Sequence, residues 1–419
     1  MRAYVDSGVD WLGDIPSEWT TQPLWSMFQR IKDVGHPQEQ MLSVFRDHGV
    51  VAKDSRANNN QTAENRDIYQ LVHPGWLVAN RMKAWQGSVG ISDLRGIVSG
   101  HYICFAPNHD AHGPFLNWLF RSPPYAVAYA LQSRGVRIGQ AEIDNDLYRA
   151  MPVLLPPLVE QRAIAGFLDR ETERVDTLIG EQESLIARLD ERKKAVIDTV
   201  TSRGLDPHVE CVDSGIGWLG AVPRHWSIRP LWTMFNRTKD VGHPDEEMLS
   251  VFRDLGVVAK NSHKNTNWTA DNRNIYQLVH PGWLVTNRMK AWQGSVGISS
   301  RRGIVSGHYI CFDPTHREDH RYLNFLFRSA RYVAAYGLIS RGVRIGQAEI
   351  DNDDYRLLQV LVPPISEQRR IVEYLGVEIA KIDRLIEESE RIIKLSRERR
   401  SVLITAAVTG QIDVRDEVE

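Results

Sequence analysis

The hydrophobic pattern divides the chain into two kinds of segment. Short runs rich in β-branched and aromatic residues, Met41 to Asp47, Trp76 to Asn80 and Gly96 to Phe105, are bounded by turn residues and predict strands. Phe115 to Arg121 and Tyr125 to Gln132 predict short helices. A double proline, Pro156-Pro157, then precedes a long stretch without proline, from Leu158 to about Ser202. Proline disfavours helix in the residue before it but is tolerated near a helix start. In this stretch apolar residues recur at Ile164, Leu168, Val175, Leu178, Leu185, Leu189 and Val196, a 4-3 spacing of coiled-coil type. Polar Glu171, Gln182 and Arg192 interrupt the seam. A helix of about forty residues is about 60 Å long and cannot bury its seam alone.

The whole pattern is written twice. A shift of 207 residues superposes the chain on itself from Asp6 to Asp206 without insertion or deletion. Arg81 to Ile91 returns unchanged as Arg288 to Ile298, Gly96 to Phe105 as Gly303 to Phe312, and Arg134 to Asn145 as Arg341 to Asn352. The second double proline, Pro363-Pro364, opens a second seam through Ile371, Leu375, Ile382, Leu385, Ile392 and Leu403. A repeat this long is two copies of a domain rather than a solenoid unit. The expected organisation is a mixed α/β domain over 1–157, a long helix over 158–203, a second domain over 208–364 and a second long helix over 365–410. The economical way to bury both seams is to pack the two helices on each other.

Composition narrows the class without choosing a function. The chain has 419 residues, 42% hydrophobic and 25% charged, which are ordinary globular values. Lys+Arg is 51 against 53 Asp+Glu, so no global excess of positive charge marks a polyanion binder. Residues 1–157 carry 14 Lys+Arg and 15 Asp+Glu, whereas 208–364 carry 19 and 15, so only the second copy leans basic. No apolar run is long enough to span a membrane and the N-terminus lacks a signal-peptide core, which leads us to expect a cytoplasmic protein. The three cysteines, Cys104, Cys211 and Cys311, offer no disulfide framework.

Motifs of catalysis are missing. The sequence has no G-x-x-x-x-G-K-[ST] phosphate loop and no G-x-G-x-x-G after a strand. Ser122-Pro123-Pro124-Tyr125 resembles the tetrapeptide with which DNA amino-methyltransferases hold a flipped base, but the second copy has Ser329-Ala330-Arg331-Tyr332 there. His101-x-x-Cys104 and His308-x-x-Cys311 fall short of a four-ligand zinc site, and each is better read as a polar histidine and a buried cysteine. What remains is Arg, Lys, amides and aromatics. Asn80 to Gln86 offers Arg81, Lys83 and Gln86 beside Trp85, and Arg134 to Gln140 offers Arg134, Arg137 and Gln140 on a glycine-rich loop. The second copy repeats them as Arg288, Lys290, Gln293, Arg341, Arg344 and Gln347. Such side chains suit base edges and phosphates, and equally suit a solvated surface. The divergent stretch Asp54 to Asp67, against Asn261 to Asn274, is a second candidate contact, with Arg56 against His263 and Gln61 against Trp268.

Three segments carry a resemblance: Asp6-Ser7-Gly8-Val9-Asp10-Trp11-Leu12-Gly13-Asp14-Ile15-Pro16, Pro156-Pro157-Leu158-Val159-Glu160-Gln161-Arg162, and Ala407-Val408-Thr409-Gly410-Gln411-Ile412-Asp413. Together with the order domain, helix, domain, helix, they make the chain resemble the DNA-specificity subunit of type I restriction–modification enzymes over essentially its whole length. The resemblance implies an α+β fold of two target-recognition domains separated by two long helices. The helices would pair as an antiparallel coiled coil, with internal pseudo-two-fold symmetry. It implies double-stranded DNA as a partner, read as a bipartite site, and no catalysis or cofactor of the chain's own. S-adenosylmethionine would be bound by two methyltransferase subunits, and ATP and Mg by motor-nuclease subunits. Family members usually carry two dissimilar domains, whereas these are nearly the same, so the expected target is nearly palindromic. Two rival readings are a self-contained methyltransferase or nuclease, and a coiled-coil scaffold with protein-binding heads.

Overall fold

The computed structural model describes residues 2–55, 65–134, 142–262, 272–342 and 348–415. The chain forms two compact units. The first is Met1–Glu183 with Glu390–Glu419, and the second is Ser184–Ser389.

In the first unit the core sheet has four antiparallel strands in the order Phe28–Ile31, Tyr102–Pro107, Leu77–Asn80 and Val89–Ile91. Smaller ladders join Leu42–Phe45 to Gly49–Ala52, Gln70–Val72 to Gly96–Val98, and Thr20–Pro23 to Pro152–Leu155. The helices Gly113–Arg121 and Pro123–Leu131 supply Phe115, Leu116, Leu119, Phe120, Tyr125 and Tyr129 to the core. The second unit repeats the plan, with its sheet in the order Phe235–Thr238, Tyr309–Pro314, Leu284–Asn287 and Val296–Ile298. One expected strand divides. Gly96 to Phe105 is two strands in different sheets, because a turn closed by the Tyr102 N–H on the Ser99 carbonyl at 3.1 Å breaks it.

The two long helices run uninterrupted over Leu158–Arg203 and Ile365–Val408. In the first unit they lie antiparallel. Arg400 pairs with Asp176 at 3.1 Å, and Arg397 donates to Glu183 at 3.1 Å. In the second unit Lys193 donates to Asp383 at 2.6 Å, and Val200 shares a core with Ile371 and Leu375.

The buried seam follows the 4-3 rule more strictly than the apolar residues suggest. On the first helix the covered positions are Leu168, Thr172, Val175, Ile179, Gln182, Ile186, Leu189, Lys193, Val196 and Val200. On the second, Ile382, Ile386, Ser389, Ile393 and Ser396 continue it. Leu178, Leu185 and Leu385, expected in the seam, are exposed, and Ile393 is buried rather than Ile392. Adjacent apolar pairs caused the misreading. At 178–179 and 185–186 the isoleucine keeps the heptad register and the leucine does not. The polar interruptions are accordingly Thr172, Gln182 and Lys193, not Glu171 or Arg192.

Candidate nucleic-acid interface

Residues 80–88 form a closed turn between two core strands. The Asn80 side chain accepts from the Met82 N–H at 3.1 Å, and the Trp85 indole donates to the Met82 carbonyl at 3.1 Å. Ala84–Gln86 is a single helical turn that ends on Gly87 at φ 85°. The Ser88 hydroxyl ties the turn to the neighbouring hairpin by donating to the Val44 carbonyl at 2.7 Å. This locks the backbone and leaves Lys83 and Gln86 exposed. The second copy repeats it, with Lys290 and Gln293 exposed and Gly294 at φ 91°.

Arg81 and Arg288 each hold a carboxylate of their own unit. Arg81 pairs with Glu142, and Arg288 with Glu349. Backbone bonds flank the pair: the Arg81 N–H donates to the His101 carbonyl at 3.0 Å, and Ile143 N–H donates to the Arg81 carbonyl at 3.1 Å. The ion pair therefore joins the turn to the hairpin Ser133–Arg134/Glu142–Ile143. Two segments far apart in sequence, both selected for their chemistry, share one edge of each unit. Arg341 is exposed and donates to Asp354 at 2.6 Å. Arg137, Gln140, Arg344 and Gln347 lie outside the described residues, as does the side chain of Arg134. Arg56, Gln61, His263 and Trp268 also lie outside them.

In the second unit the turn lines a recess of about 530 Å³ with Asn287, Lys290, Trp292 and Gln293, and Ser250, Phe252, Arg253 and Tyr309 complete its lining. Cations, amides and rings thus converge on one concave surface. Sequence reasoning missed Arg253 and Tyr309, and Arg46 and Tyr102 in the first copy, because they reach the turn only through the tertiary fold. Burial raises the Tyr102 phenol above its usual pKa, against hydrogen bonds with the Val44 backbone, Asn80 and Ser43 that pull it down. It stays a neutral donor and acceptor. Gln70 holds its strand by donating to the Tyr102 carbonyl at 2.7 Å, as Gln277 does to Tyr309 at 2.8 Å. The larger recess of the second unit, about 1090 Å³, lies by Phe325, Gly376 and Arg384 and includes none of the residues selected from sequence. At the matching positions of the first unit Trp118 donates to Asp169 at 2.8 Å.

Other motifs prove structural. Tyr125 of the Ser-Pro-Pro-Tyr segment is fully buried, donating to the Pro152 carbonyl at 3.1 Å and accepting from the Leu154 N–H at 3.0 Å. Tyr332 does the same at Gln359 and Leu361. Cys104 is buried, and burial pushes its thiol up to about 12, while His101 is exposed in the turn before the strand. Among the described residues no cluster of three or more His, Cys, Asp or Glu is placed to hold a metal ion. Glu160 and Gln161 of the Pro-Pro-x-x-Glu-Gln segment are buried staples. Glu160 accepts from the Trp19 indole and from Arg2, each at 2.9 Å, and Gln161 bridges the Pro156 carbonyl at 2.8 Å and the His112 N–H at 2.7 Å. Glu367 and Gln368 repeat this with Trp226, Pro363 and Asp319. No helix among the described residues is long and apolar enough to cross a membrane.

Comparison with solved structures gives the same architecture. A chain from a structure on complex assembly and conformational transition of the type I R-M system matches with a TM-score of 0.66 at 15% identity, covering 95% of this chain and 99% of that one. The HsdS subunit from Thermoanaerobacter tengcongensis matches with a TM-score of 0.50 at 15% identity, covering 95% and 98%. No family model matches the chain. The likeness is one of fold, and it is the fold that the sequence resemblance implies: mixed α/β domains combined with two long helices.

Proposed function

We propose that the chain is the DNA-specificity subunit of a type I restriction–modification complex. One observation carries the reading. Each unit builds a locked turn bearing an exposed cation and amide, and in the second unit that turn borders a recess of cations, amides and rings, on a fold shared with such subunits. Arginine, lysine and amide side chains held by rigid backbone suit base edges and phosphates in the major groove. The described residues supply no group of metal ligands, and the sequence has no phosphate or cofactor loop, so the chain would act through partners. Methyltransferase subunits, two for each specificity subunit, would bind S-adenosylmethionine and methylate adenine. Motor-nuclease subunits would use ATP and Mg.

Each unit would read one half of a split site. Because the recognition turns have the same sequence, the half-sites should be nearly the same and inverted, with an unread spacer between them. The methylated motif in DNA from cells carrying the chain and its partner subunits tests this. An adenine methylated in a gapped, near-palindromic motif is expected. Two unrelated half-sites would refute the identity of readout, and methylation by the purified chain alone would refute the non-catalytic role. A scaffold that binds only proteins would show no steep loss of DNA binding with salt.

A further inference from the structure

Arg46 and Arg253 stand at the tips of matching hairpins, Leu42–Phe45/Gly49–Ala52 and Leu249–Phe252/Gly256–Ala259. Both are exposed, and Arg253 lines the recess that holds Asn287, Lys290 and Gln293. Their backbones are fixed from behind. The Arg46 carbonyl accepts from Arg121 Nε at 3.0 Å, and the Arg253 carbonyl accepts from Arg328 Nη2 at 3.1 Å. Their stems are fixed from the side, where they lie against the recognition turn. A Cβ added at Gly87 would sit 3.1 Å from Arg46 Cγ, and one at Gly294 would sit 3.3 Å from Arg253 Cγ. Positive φ and close approach together reserve these two positions for glycine.

The charge arrangement singles out the same pair. Arg81 and Arg288 are held by Glu142 and Glu349, whereas among the described residues no carboxylate pairs with the guanidinium of Arg46 or Arg253. The adjacent acids act elsewhere: Asp47 acts on Arg121, and Asp254 on Arg328. A guanidinium with an ordered stem and no carboxylate partner among the described residues is a preorganised, planar fork of donors. That fork matches the O6 and N7 acceptors of guanine, which a lysine ammonium cannot engage with the same bidentate geometry.

We propose that Arg253 and Arg46 are specificity-determining residues, each reading the guanine edge of one G·C pair in the half-site bound by its own unit. This rests on the DNA-specificity reading above and adds to it a base and a residue. The test uses the full complex with its methyltransferase subunits, the methylated motif as readout, and competition binding between matched duplexes. Arg253→Ala should relax one G·C position in one half-site, with discrimination there falling about 10-fold to 100-fold. Arg46→Ala should relax the symmetric position in the other half-site. Arg253→Lys should not restore the lost base. Gly294→Ala, which strains the turn at φ 91° and sets a Cβ 3.2 Å from Val333 Cγ2 and 3.3 Å from Arg253 Cγ, should weaken the same position. Equal weakening of all sequences, restored by lysine, would make the contact one to phosphate and overturn the proposal. An unchanged motif in both alanine variants would also overturn it. If the unaltered complex methylates no defined motif, the broader reading fails, and this one with it.

Discussion

Ala79 and Thr286 occupy the same strand position in the two copies, and the difference decides the fate of a buried hydroxyl. In the second unit the Thr286 hydroxyl lies 2.7 Å from the Tyr355 hydroxyl. In the first, Tyr148 is equally buried, and its hydroxyl has no hydrogen-bond partner among the described residues. A buried donor left unpaired costs about 1–3 kcal/mol, and a made bond returns about 1 kcal/mol net. Ala79→Thr should therefore stabilise the first unit by about 1 kcal/mol, because the homologous space already accepts threonine. Thr286→Ala should destabilise the second by about 1–3 kcal/mol. Denaturant unfolding of each variant checks both signs, and loss of stability in Ala79→Thr would show that the two cores do not share this geometry. Residue identity was a mixed guide at this scale. Lys83 and Gln86 stand exposed as their chemistry suggested, because short local turns fix where such side chains point. The ion pair of Arg81 with Glu142 was not legible, since only the tertiary fold brings that glutamate to the turn.

At the scale of elements, composition and period gave the long helices, and the junctions came from motifs whose meaning needed coordinates. Each helix ends on a glycine that packs against the opening turn of a domain. Gly410 has φ 74°, and a Cβ there would lie 2.4 Å from Pro16 Cγ and 3.0 Å from Trp19. Its carbonyl accepts from the Tyr4 hydroxyl at 2.9 Å. Gly204, at φ 80°, meets Trp226 and Glu367 in the same way in the second unit. The same tryptophans donate to Glu160 and Glu367, so helix start, helix end and domain opening meet at one indole in each unit. Gly410→Ala should combine backbone strain with a clash and cost about 1–3 kcal/mol, seen as a lower unfolding midpoint. Gly376→Ala is the control: this glycine lies within the second helix with nothing within 4 Å of an added Cβ, and the substitution should be neutral or stabilising. The seam shows why the helix register was only partly legible. On the first helix two polar residues and a lysine occupy heptad positions, and exposed leucines stand beside the isoleucines that are covered. Hydrophobicity alone therefore does not choose between the members of each pair.

For the whole molecule, the repeat and the division into units combine into a statement about target length. Only the two long helices pass from one unit to the other, at 183–184 and 389–390, and each unit contains its own domain and its own helix contacts. Seven residues inserted into both helices at those points preserve the heptad register and disturb no contact inside either unit. Each helix grows by about 10 Å, or roughly three base-pair steps. If the chain reads a split DNA site, the bases of both half-sites should stay the same and only the spacing between them should change. A heptad inserted into one helix alone keeps the 4-3 repeat but makes that helix about 10 Å longer than its partner between the units, so it should lower stability instead. The methylated motif of the complex carrying the paired insertion measures the outcome directly. Unchanged spacing would show that the helices do not set the distance between half-sites, and altered bases would show that they take part in the readout that the proposal assigns to the domains alone.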